Sequence, residues 1–288
     1  VAERAKSLPT WRRVLGNGRV LWGGGFLLLL VLVAVLAPAL APHDPLDQDL
    51  MLQYAPPFWA DKAEPGYFLG ADNLGRDILS RLMYGAQVAL TVSLVAAFAA
   101  GLVGTLLGLL AGYLGGWVDA VISRLVDIWM AFPAVLLAIV LVAVLGTGLY
   151  SVIVAIAVID WTRFCRVIRA ETMAQKEQDY VASAVTIGLP RFRILWREVL
   201  PNVVPLLIVL FTLEMGIAVI VEAILSYVGL SLSSGFPTWG GMIAAGRQYV
   251  HQAPWLLVLP IICVVATVLA LNALGDGLKD TLDPVMRR

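Results

Sequence analysis

The 288-residue chain is 60% hydrophobic and 14% charged, with a mean hydropathy of +0.87. That balance is far outside the composition of a soluble domain and excludes one. The 20 basic and 20 acidic residues cancel to a net charge of zero, so their placement, not their number, carries information.

In chain order, the segments without a charged residue are 22–41, 82–118, 128–159, 203–213 and 252–275. A helix needs about 20 apolar residues to cross the hydrocarbon core. The 128–159 run is too long for one crossing, and Gly146-Thr147-Gly148 offers a turn inside it. Six spans are therefore expected, near 21–41, 86–112, 127–146, 149–168, 203–226 and 254–275. The first has a basic flank and ends Ala-Pro-Ala-Leu-Ala, but it is longer than the roughly 7–15 residues of a signal-peptide core and reads as a retained anchor.

Arg4, Lys6, Arg12, Arg13 and Arg19 precede the first span, and Arg124 lies between the second and third. The 163–197 stretch carries seven more cations, and Lys279, Arg287 and Arg288 follow the last span. Only Lys62, Arg76, Arg81 and Arg247 fall on the other side, so the positive-inside rule places both termini in the cytoplasm. The opposite, outer segment is acidic and Pro-rich, with Asp44, Asp47, Asp49, Asp61, Glu64, Asp72 and Asp77. The expected units are a tail and anchor over 1–41, an outer segment over 42–85, a five-span core over 86–275 and a tail over 276–288.

Within the core, span four is expected to run on past the membrane as a basic helix carrying Arg163, Arg166 and Arg169 on one face, with Asp160 paired to Arg163. Then comes a polar island, 180–201, reading YVASAVTIGLPRFRILWREVLP. Asp179 is positioned to cap a short helix over 180–187. Gly188 is suited to the left-handed turn that ends it, and Pro190 prevents its continuation. Ala182, Ser183 and Ala184 form a small-residue face that permits close approach of another surface; the alternative is a connector lying along the headgroups. Glu214 and Glu222 lie within span five, where an ionisable residue is a functional candidate by default. Eight residues separate them, about 80° around a helix, so both are candidates to line a pathway. Asp72, Arg76, Asp77 and Arg81 alternate in sign before span two and fit either a solvated amphipathic helix or a contact surface. The 227–254 segment is expected to dip back toward the membrane as a lid.

No Lys follows a Gly, so there is no phosphate-binding loop and ATP must act through another chain. His43 and His251 lack ligand-like spacing, and no metal site or catalytic constellation is expected. Cys165 and Cys263 read as small buried residues.

Ala182-Ser183-Ala184, Gly188 and Leu200-Pro201 resemble the cytoplasmic EAA loop of ATP-binding-cassette (ABC) importer permeases. Ala182 and Ser183 depart from its Glu-Ala, which excludes an ion pair from that position, and Val199 stands for its hydrophobic residue. The 68–86 stretch, FLGADNLGRDILSRLMYGA, resembles the FLGTDxxGRDxxSRxxxGAR signature of the dipeptide, oligopeptide and nickel branch, with Ala71 in place of Thr. VEAILSYVGLSL around Glu222, Pro237-Thr238-Trp239-Gly240 and Leu282-Asp283-Pro284 are similar to the same branch. The resemblance implies an all-α membrane protein of the type I ABC importer permease fold, as the second, C-type permease of its system. It implies di-/oligopeptide import, with nickel-chelate or oligosaccharide uptake as the alternative. The implied partners are a second permease in a heterodimer, two ATPase subunits holding ATP and Mg, an extracytoplasmic binding protein and membrane lipid. The implied location is the bacterial or archaeal cytoplasmic membrane. The resemblance assigns ATPase coupling to the 177–190 helix, with Tyr180, Ala182, Ser183, Ala184, Gly188, Pro190, Leu200 and Pro201. It makes Asp72, Arg76, Asp77 and Arg81 contacts for the binding protein or an outer gate. A self-sufficient transporter or channel would need no such loop.

Overall fold

Long runs of Leu, Val and Ala with few charges form helices that are apolar all round, and the small residues among them decide which faces meet. The computed structural model describes residues 14, 16–232 and 235–282. Arg4, Lys6, Arg12, Arg13, Arg287, Arg288 and the Asp283-Pro284 motif lie outside the described residues.

Helix α1, Gly18–Leu40, starts where the Asn17 side chain accepts from Arg19 N at 2.9 Å. Its inward side is small (Gly23, Ala34, Ala37) and it packs on the last helix, while Leu21, Leu28, Leu29, Leu32 and Leu36 face outward. Residues 41–77 follow as turns and a short 3-10 turn, Leu50–Leu52, returning through an isolated bridge between Ala71 and Asp77. Helix α2, Ile78–Leu114, is capped by Asp77 and runs the full depth of the fold to Gly115.

The expected third span over 127–146 is instead two helices. Helix α3, Gly116–Met130, and helix α4, Ala134–Leu145, meet at a bend of 86°. Pro133 explains the break: its ring has no N–H to donate and drives Phe132 out of the helical region. Helix α5, Leu149–Lys176, extends beyond the expected 149–168 span as one continuous rod.

Short helix α6, Asp179–Thr186, leads to α7, Arg191–Ile194, which widens into a π turn, Leu195–Val199, and continues as α8, Leu200–Tyr227. The wide turn, with Leu200 N donating to Leu195 O, immediately precedes Pro201, a residue that crowds the carbonyl four positions back. Helix α9, Trp239–Gly246, and helix α10, Trp255–Leu282, complete the chain.

Helices α1, α2, α10 and the continuous 191–227 helix are each long and apolar enough to cross a membrane, and the bent α3–α4 pair makes a fifth candidate. Helix α5 is interrupted by Asp160, Arg163, Arg166 and Arg169. It is nevertheless the main partner of α2. Gly101, Gly104, Gly108 and Gly112 of α2 form a stripe against it, and a Cβ on Gly108 would lie 2.7 Å from Cys165 O. Small residues let helix backbones approach in a membrane, where van der Waals packing replaces the hydrophobic drive.

Two cores mark the ends of the bundle. At the end holding residues 41–77, Ile78, Leu82 and Ala86 pack with Trp239, Met242 and Leu256. Trp239 Nε1 donates to Leu82 O at 3.0 Å, so α9 is drawn inward against α2. At the opposite end, Leu109, Tyr113 and Ile168 pack with Val181, Ala184, Ile194, Leu195 and Val199.

Candidate functional site

Helix α6 is a platform held from below and closed by its own backbone. Asp179 is its first residue and the cap is Gln178, without a side-chain bond, which corrects the expected Asp179 cap. At the other end, Gly188 has φ +80, its N–H bonds Val185 O at 3.0 Å, and Leu189 N–H bonds Ala184 O at 3.1 Å. These two bonds are a complete Schellman motif, which a residue with a Cβ accommodates poorly.

Val181 and Ala184 point into the core, so Ala184 belongs to the supporting side and not to the small-residue face expected of it. Ala182, Ser183, Gly188, Pro190 and Pro201 are exposed, while Tyr180 and Leu200 are half-buried against the core. Tyr180 Oη donates to Gln175 Oε1 at 2.7 Å, and burial raises its phenol above the ordinary value, so it stays a donor.

The outward face also carries residues that sequence reasoning passed over. Val185 is 59% exposed, Ile187 75% and Phe192 73%. The available signal was spacing: with Val181 and Ala184 inward, positions 182, 185 and 186 must face out. The result is a mixed small and apolar surface about two turns long, bordered by exposed Arg191 and Arg193.

The arginines of α5 do not form a common basic face. Arg163 meets Glu214 of α8 at 3.3 Å, whereas Arg166 meets Asp127 at 3.6 Å and Arg169 grips both carboxylate oxygens of Asp119 on α3. Residues three apart step back 60° around a helix, which spreads the three across two neighbours. The expected Asp160–Arg163 pair gives way to Arg163–Glu214, with Asp160 buried beside them. Glu214 is 3% exposed and ties α5 to α8. Glu222 is 1% exposed and accepts from Ser226 Oγ at 2.5 Å and Ser231 Oγ at 3.3 Å.

At the far end, the alternating charges are not a solvated helix. Asp72, Asp77 and Arg81 are buried and Arg76 nearly so. The Asp72 carboxylate accepts from Leu74 N, Arg76 N and Arg76 Nε, closing a loop on itself. Asp77 caps Ser80, and Arg81 Nη1 donates to Pro45 O at 2.9 Å, pinning the 41–77 segment to α2. The arginines border a cavity of about 580 Å³ shared with residues that follow α8.

Residues 104–288 match the family described as binding-protein-dependent transport system inner membrane component, and residues 9–57 match the N-terminal TM domain of oligopeptide transport permease C. Over 277 residues the chain is 39% identical to the di/tripeptide transport system permease protein DppC of Pseudomonas aeruginosa, covering 96% of this chain and 91% of the relative. It is 41% identical over 281 residues to the glutathione transport system permease protein GsiD of Salmonella typhimurium, covering 96% and 90% respectively. The dipeptide transport system permease protein DppC of Haemophilus influenzae is 37% identical over 272 residues, covering 94% and 92%. Among solved structures, an inward-facing MetNI methionine ABC transporter aligns with a TM-score of 0.57 at 19% identity, over 68% of this chain and 93% of that one. A second crystal form gives 0.56 at 20%. At that identity the likeness shows the fold alone, an all-helical ABC permease arrangement.

Proposed function

The chain belongs to the family of binding-protein-dependent transport system inner membrane components, in its peptide-importer branch, and on that premise we propose that it forms half of the translocation pathway of an ATP-driven di-/oligopeptide importer. It crosses the bacterial inner membrane six times, counting α5 as a span, with both termini and α6 in the cytoplasm. The concentration of Lys and Arg at that end supports this orientation. It pairs with a second permease, two ATPase subunits that bind ATP and Mg dock on the two permeases, and an extracytoplasmic binding protein delivers substrate. The units over 1–41, 42–85, 86–275 and 276–288 serve as tail and anchor, outer segment, core and tail.

The observation that carries this reading is the α6 platform. It presents apolar side chains to water at the charged end of a membrane protein, on a helix whose inner side is fastened to α2, α5 and the 191–199 turns. Force applied to α6 therefore reaches α8 through a packed core and α5 through Glu214–Arg163. ATP-driven closure of the ATPases moves α6, and the connected helices swing between inward-open and outward-open arrangements.

Replacing an outward residue tests the docking role without touching the core. Ala182→Arg and Ile187→Asp are expected to abolish ATPase co-purification and transport while the chain still inserts and pairs. Unchanged ATPase association in both variants would remove the assignment.

A further inference from the structure

The cavity at the end opposite α6 has two chemically different poles. One is cationic: Arg76 and Arg81 line it, and no acidic side chain does so among the described residues. Asp72 sits behind both guanidinium groups and serves them unequally, 2.7 Å from Arg76 Nε and 3.6 Å from Arg81 Nε. Arg81 is 6% exposed, and its Nε has no hydrogen-bond partner. The nearby Asp77 accepts from Ser80 through Oδ2 and makes no ion pair with either arginine among the described residues. Two guanidinium groups thus share one carboxylate, so their charge is only partly balanced and an anionic acceptor in the cavity is favoured.

The other pole accepts. Ser226 and Ser231 line the same cavity, and both hydroxyls donate to Glu222 Oε1. Spending their protons on the buried carboxylate leaves their oxygen lone pairs to receive N–H groups from the cavity. Leu46, Leu74, Leu232 and Phe236 supply apolar wall between the poles. The volume of about 580 Å³ is in the range of small-ligand sites, about 300–1,000 Å³.

We propose that this cavity is a substrate site for a short zwitterionic peptide, its terminal carboxylate on Arg76 and Arg81 and its amino group or N–H on Ser226 and Ser231. Every peptide has these two groups whatever its side chains, so one site handles many sequences. Arginine suits the carboxylate because its planar donors engage both oxygens together. The site rests on the peptide-import reading and deepens it.

The test is site-specific protection in membranes holding the complete importer. Leu74 lines the cavity, and a Leu74→Cys variant is labelled with a maleimide in the presence of dialanine or dialanine amide. Dialanine is expected to slow labelling, and the amide, lacking the carboxylate, to protect at least about tenfold more weakly. Adding Arg76→Gln removes the discrimination, and Arg76→Lys restores part of it. Equal protection by acid and amide with both arginines in place, or none by either, overturns the proposal. Protection by peptide-free binding protein, with none by dialanine, also overturns it and assigns the arginines to a carboxylate of the docked protein. Uptake of labelled dipeptide by cells with and without the chain is measured beside it. Uptake that depends on the chain with no protection of the introduced thiol rejects this site alone, whereas absent uptake rejects the peptide-import reading.

Discussion

Glu214 illustrates how a side chain singled out by its place in an apolar helix also ties distant segments together. An acid in the middle of an apolar helix invites a pathway assignment, yet its carboxylate is occupied by Arg163 from α5. Arg163 keeps 36% of its side chain exposed, so the pair lies between a surface and a buried bridge. Glu214→Leu is expected to destabilise the protein by about 1–3 kcal/mol by stranding Arg163, and Arg163→Leu in addition to recover part of it. Thermal unfolding in detergent measures both, and additive losses would show that the two do not interact. The pairing was hidden because its partners are 51 positions apart, whereas the local candidate Asp160 is only three from Arg163. Gly188, by contrast, was fully legible. A left-handed residue followed by Pro190 is a local signal, and local signals survive without knowledge of the fold.

Elements follow the same division. The starts of α1, α8 and α10 lie within a few residues of where charge-free runs begin, because a membrane helix must be predominantly apolar. The α3–α4 break escaped the hydropathy reading, since an apolar run looks alike whether straight or bent, although Pro133 marked the place. Helix pairing depends on the small-residue stripe of α2. Gly108→Leu must push α5 away or distort it, and is expected to cost about 1–3 kcal/mol and raise protease sensitivity of the 169–190 region. Unchanged stability would mean that the α2–α5 contact is not a close backbone approach.

For the whole molecule, the two ends differ in charge and in construction. Single Gly16→Cys and Thr186→Cys variants are expected to react with membrane-impermeant reagents only from the cytoplasm, and Asp61→Cys only from outside. All three positions are exposed. Labelling of the first two variants from opposite sides would contradict the six-span arrangement. The two ends are built on separate cores: one fastens α6 to the bundle, and the other packs α9 against α2 beside the arginine-lined cavity.

The sequence by itself determined that the chain is a membrane protein, how its cations are divided, and where a short helix ends in a glycine turn. Each is a property of composition or of neighbouring residues. Only the tertiary structure decided that Ala184 faces inward while Val185 and Ile187 face out. It also decided that the arginines of α5 pair with two different helices, and that Arg76 and Arg81 share a cavity with the serines held by Glu222. Those arrangements come from contacts between distant segments, set by how closely glycine-striped helices pack, and no local pattern in the chain encodes them.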